Sequence, residues 1–89
     1  MSKKHEKILE RMRESLANWK FTDIERLYKG FGFEVRHGAN HDIFSHPDYP
    51  EIQPVVPRHK DVAKSYVRDA IEAIDKLKSF QERDQRSDE

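Results

Sequence analysis

The chain reads as an α+β domain: a three-stranded antiparallel sheet covered on one face by helices, with an extra N-terminal helix. Three observations predict this. Residues 33–46 alternate on either side of a Gly38-Ala39-Asn40 turn, the pattern of a β-hairpin. Val62, Tyr66, Val67, Ala70, Ile71, Ile74 and Leu77 recur at helical spacing and form the longest apolar face in the sequence. Thr22 and Glu25 stand at the spacing of a capping box, and Ile24, Leu27, Tyr28 and Phe31 follow at i, i+3, i+4 and i+7. The order helix, helix, β, β, β, helix buries these stripes most simply when the helices share one face of the sheet.

Residues 3–16 are expected to form the first helix. Its stripe of Ile8, Leu9, Met12 and Leu16, with His5 at the edge, is narrow. So thin a stripe does not hold a helix alone, so this one must dock. In the connector Asn18-Trp19-Lys20-Phe21 the two rings alternate, as in an extended segment packing both. The capped helix ends at Gly30 and Gly32. Residues 33–37 read as the first strand and 41–46 as the second. Gly38 can take positive φ at little cost, so the chain can reverse there, and Asn40 tolerates turn conformations. Two prolines bound the loop 47–54, and 53–57 is a short third strand at a sheet edge. Asp61 is the expected N-cap of the last helix. Residues 81–89 contain no apolar side chain and read as a solvated tail. The chain thus divides into 1–21, the helix and connector, 22–80, the domain, and 81–89.

A chain of 89 residues makes one small domain. With 35% hydrophobic and 38% charged residues, its core must be thin. The absence of cysteine excludes a disulfide framework, a thiolate nucleophile and a cysteine zinc site. It fits a reducing cytoplasm, the expected location. No apolar run approaches membrane-spanning length and no signal-peptide pattern opens the chain, so no membrane partner is expected. Net charge is zero but unevenly spread: residues 1–20 carry six basic and three acidic groups, and 69–89 carry four and seven. RNA binding would therefore depend on a local cluster rather than on the field of the whole molecule.

The stretch from His37 to Pro47 holds three of the five histidines and places His41 at the root of a strand beside the turn. A loop on a rigid scaffold exposes and orients such a side chain, and imidazole exchanges a proton near neutral pH. A neutral imidazole can take the proton of a ribose 2′-OH. That oxygen then attacks the adjacent phosphorus while cations stabilise the developing charge. The chemistry requires no metal and no cofactor. Arg36, His37, His46, Arg58, His59 and Lys60 fall at strand ends or in loops around the sheet and are candidate RNA contacts. His37, His46 and His59 are also candidates for the second acid, in no resolved order. Metal binding fits less well. His41 and His46 are separated by an odd number of residues, so they diverge on a regular strand, and no HExxH motif occurs. A surface histidine with a solvated basic turn is the competing reading. It corresponds to a non-catalytic RNA-binding module or a protein-interaction domain.

His37-Gly38-Ala39-Asn40-His41-Asp42-Ile43-Phe44, then Val56-Pro57-Arg58-His59, then a helix carrying Val62 and Arg68, resembles the HicA (YcfA-like) toxins. These are small mRNA interferases of bacterial and archaeal toxin–antitoxin pairs. The family pattern is a helix ending in Gly-Phe, here Gly32-Phe33, a strand, a Gly-x-x-His turn, a second strand, a Pro-Arg-His turn and a final helix. The resemblance covers about residues 22–75. It implies a fold similar to the double-stranded-RNA-binding domain, α-β-β-β-α. It also implies a catalytic histidine at His41, a turn kept by Gly38, an mRNA substrate, and a HicB-type antitoxin covering the site. Three features differ from the family pattern. Residues 3–16 lie outside its smallest members. Ala63-Lys64-Ser65 replaces a polar-Gly segment. The chain is neutral where such toxins are often basic.

Overall fold

A computed structural model describes residues 4–86. The elements run α1 (Lys4–Glu14), α2 (Phe21–Gly30), β1 (Glu34–His37), β2 (His41–Ser45), β3 (Val55–Pro57) and α3 (Lys64–Arg86). The strands lie in the order β1-β2-β3, with both pairs antiparallel. This is the α+β architecture that periodicity predicts, including the additional N-terminal helix. Among the described residues no helix is long and apolar enough to cross a membrane.

The register sorts side chains onto two sides of the sheet. Val35 pairs with Phe44, His37 with Asp42, and Asp42 with Val56. Paired residues share a side, and buried Phe44 and Val56 mark this as the helix-facing one. Arg36, Ile43, His41, Pro57 and Val55 occupy the other side, where Val55 stays 46% exposed. Phe44 stacks on Tyr28 of α2 at 4.6 Å between ring centroids. Val67, Ala70, Ile74 and Leu77 of α3 join the same cluster, as do Leu9 and Met12 of α1. Each fully buried Val, Leu, Ile, Phe or Met among them contributes about 1.5–3 kcal/mol relative to an exposed one.

Helix α1 therefore completes the core. Ion pairs from Arg13 to Asp75 and from Lys78 to Glu6 (3.1 Å) fasten it to α3. Against α2 it comes close, because Gly30 has no side chain; a Cβ there would collide with His5. The His5 ring meets Phe31 edge-on at 4.7 Å.

Several element ends differ from expectation, and long-range pairing explains most of them. Lys20 and Asp61 form an isolated antiparallel bridge, reinforced by their ion pair at 2.5 Å. The Phe21 N–H donates to the Lys60 carbonyl at 3.1 Å. This holds the chain extended up to Lys20, so α2 begins at Phe21 and Lys20 is its N-cap. The capping carboxylate is Asp23, which accepts from the Lys20 N–H at 3.0 Å. Thr22 is not the N-cap, and Glu25 pairs instead with Lys29 at 3.2 Å. The same bridge occupies Asp61, so it does not cap α3, which starts three residues later. At its other end α3 continues past Phe80 to Arg86. No glycine or proline stops it there, and Tyr49 O–H donates to Asp84 at 2.7 Å. The expected solvated tail is thus helical over 81–86; residues 87–89 lie outside the described residues.

Candidate active site

The turn between β1 and β2 is a two-residue reversal, Ala39-Asn40, closed by the Gly38 N–H donating to the His41 carbonyl at 2.8 Å. Gly38 does not take positive φ; among the described residues only Asn18 (68°) and Gly32 (93°) do. Its role is space. A Cβ at Gly38 would stand 2.8 Å from the His41 carbonyl oxygen, inside contact distance. The turn is also held by the residue that follows β3. Arg58 Nη2 donates to the carbonyls of Gly38 (2.5 Å) and Ala39 (2.8 Å). The Arg58 backbone N–H donates to the Asn40 carbonyl at 3.2 Å.

Beneath the turn lies Asp42, which the sequence reading passed over as a functional residue. Its place beside His41 in an alternating strand, on the same side as Phe44, was the available signal. The side chain is 1% exposed. Neither carboxylate oxygen meets a donor in hydrogen-bond geometry, yet Oδ1 lies 3.0 Å from His37 Nδ1 and 3.4 Å from Arg58 Nε. A buried carboxylate is costly without compensation. The Arg58 guanidinium, itself held by the Gly38 and Ala39 carbonyls, places a positive charge beside it that offsets part of this cost.

His41 stands on the opposite side of the sheet from Asp42, exposed, across from Pro57. It shares an open cleft of about 440 Å³ with Ala39, Asn40, Pro57, Arg58 and His59. The fold thus brings together Asn40, His41, Arg58 and His59 of the expected residues, with Gly38 shaping the turn. Arg36 is exposed on the His41 side, farther from the turn and opposite Ile43. His37 is on the helix side beside Asp42, and Lys60 lies just past the cleft. His46 is not brought to the site. It is 6% exposed, meets Phe33 edge-on at 5.3 Å, and accepts from the Asp48 N–H through Nδ1 at 3.1 Å. It also covers Gly32, where a Cβ would be 3.1 Å from His46 Nε2. Among the described residues no three His, Asp or Glu side chains are grouped to hold a metal ion.

The cleft sets an exposed imidazole beside a fixed guanidinium and a second imidazole, groups able to move a proton and to neutralise an anion. Fold and cleft define a small α+β domain presenting a histidine at a hairpin turn. The family model for the HicA toxin of bacterial toxin–antitoxin systems matches residues 21–75, more than half of the chain, which belongs to that family. Membership makes it a toxin-type protein with an antitoxin partner. No curated protein and no solved structure matches the chain.

Proposed function

We propose that the chain is a metal-independent endoribonuclease that cleaves mRNA in the cytoplasm and so blocks translation, with His41 as general base. The observation that carries this reading is the placement of His41, exposed in a cleft with Arg58 and His59 on a turn that Arg58 locks. His41 takes the 2′-OH proton, the 2′ oxygen attacks phosphorus, and the bond to the 5′ oxygen breaks. The products are a 2′,3′-cyclic phosphate and a 5′-hydroxyl end. His59, on the same cleft, is placed to return a proton to the leaving oxygen. Arg58 positions the turn and adds positive charge beside the phosphate. Asp42 is a positioning residue that acts through Arg58. Lys60 just past the cleft, Arg36 farther along the same side and His37 across the sheet are further RNA contacts, and a HicB-type antitoxin covers the cleft.

The test is cleavage of a single-stranded RNA by the purified protein in the presence of EDTA. Cleavage is expected, with cyclic phosphate ends, and a 2′-deoxy substitution at the cut site should block it. His41→Ala should lose both cleavage and growth arrest on induced expression. Full activity in that variant would sink the mechanism. RNA binding without cleavage by the native chain would favour a non-catalytic module instead.

A further inference from the structure

We propose that the groove between α1 and α2 is a second binding surface, taking the single-stranded RNA that flanks the cleaved phosphate. The inference rests on the ribonuclease reading above and extends it to the substrate path. The groove has a volume of about 860 Å³, and its lining includes Lys7 and Arg11 of α1, Arg26 of α2, Ile8 and Trp19. Lys7 and Arg11 are one helical turn apart and so share a face. No ion pair joins Lys7, Arg11 or Arg26 to any described residue. Asp23 also lines the groove, its carboxylate turned to accept from the Lys20 N–H at 3.0 Å. Glu6, directly before Lys7 on α1, is held by Lys78. In a chain of zero net charge, three cations without ion-pair partners against one lining carboxylate leave the groove net positive, a local field that attracts a polyanion.

The aromatic component favours RNA over an acidic peptide. Trp19 is half-buried, and its Nε1–H donates to the Ser15 carbonyl at 2.8 Å, which fixes the indole in the groove. Cations along a backbone track, with an anchored ring for a base, are what single-stranded nucleic acid requires. A short stretch of backbone links the groove to the cleft. The Trp19 carbonyl accepts from the Val62 N–H at 3.1 Å, and Lys20 bridges Asp61. Trp19 therefore lies across this bridge from the segment that begins at the cleft residue His59 and runs through Lys60 to Val62. An RNA strand that leaves the cleft along this segment is carried toward Trp19. The α1 wall of the groove lies outside residues 21–75, so this surface is an addition to the family unit.

The test uses the full chain and a 2′-O-methyl RNA oligomer, which has no 2′-OH and is not cut. Trp19 is the single tryptophan, so its emission reports the groove directly. The oligomer is expected to change that emission, whereas a 2′-O-methyl dinucleotide, too short to leave the cleft, is not. Lys7→Gln/Arg11→Gln/Arg26→Gln should weaken oligomer binding about tenfold or more and flatten its log–log salt dependence by about 2. Lys29→Gln/Lys76→Gln/Arg83→Gln removes equal charge elsewhere and should do neither. Equal weakening by the two triple variants would overturn the groove in favour of a net-charge effect. Unchanged Trp19 emission while unmodified RNA is still cut would also overturn it and leave the ribonuclease reading intact. Emission that responds to an acidic peptide but not to RNA would assign the groove to a protein partner and overturn the proposal.

Discussion

The two ends of the hairpin's second strand carry the same side chain in opposite settings. At the start of β2, His41 is exposed beside a turn that Arg58 ties down. Just past its end, His46 is buried between the rings of Phe33 and Tyr49. The residue type does not separate them; parity does. Five residues along an extended chain turn one imidazole to solvent and the other to the core. Only the exposed ring has the access that proton transfer to a substrate demands, and only the buried one contributes packing.

The contrast can be broken most directly by truncating each ring. His41→Ala is expected to lower RNA cleavage by about 10²–10⁴-fold, with an unshifted thermal midpoint. His46→Ala should do the reverse, costing about 2–3 kcal/mol in urea unfolding while keeping activity per folded molecule. Loss of cleavage in His46→Ala with unchanged melting would erase the distinction.

Asp42 sharpens the contrast, because it is buried like His46 yet belongs to the His41 end. Asp42→Asn keeps the shape but removes the negative charge 3.4 Å from Arg58 Nε. Cleavage is expected to fall by about 10-fold, up to about 10²-fold, through kcat rather than KM. An equal fall in KM-controlled binding alone would make Asp42 merely a local charge.

Gly38→Ala tests the turn itself. Its methyl group must displace the His41 carbonyl, at a cost of about 1 kcal/mol, read from urea unfolding alongside a measurable drop in cleavage.

The smallest effect belongs to the core beneath the hairpin. The Tyr28 hydroxyl is buried with no hydrogen-bond partner, and burial pushes its pKa well above the ordinary tyrosine value. Below the unfolded value, near about 10, both states hold the proton and nothing changes with pH. Above it the unfolded chain releases a proton that the fold retains, so stability falls as pH rises. Tyr28→Phe should remove that alkaline fall and stabilise the protein by up to about 1 kcal/mol near neutral pH. Melting curves at pH values either side of 10 decide it.

Much of this was legible in the residues. The stripe Ile24, Leu27, Tyr28 marked α2, the alternation around Gly38 marked the hairpin, and Val67, Ala70, Ile74 and Leu77 marked α3, because each is a local periodicity. The same local pattern placed His41 at a strand root. Where a contact between distant segments competed, the local reading failed. Asp61 has the chemistry of an N-cap, but Lys20, 41 residues away, takes it. Thr22 and Glu25 have the spacing of a capping box, but the same bridge sets the frame two residues earlier.

What the sequence determined by itself is therefore the kind and order of the elements and the family segment, since propensity and period act within one or two turns of chain. What only the tertiary structure decided is the company each functional residue keeps. The clamp of Arg58 on Gly38 and Ala39, its approach to Asp42, and the meeting of Lys7 and Arg11 with Arg26 depend on strand register and helix docking. Those are set by the collective burial of the core, and no local stretch of residues encodes them.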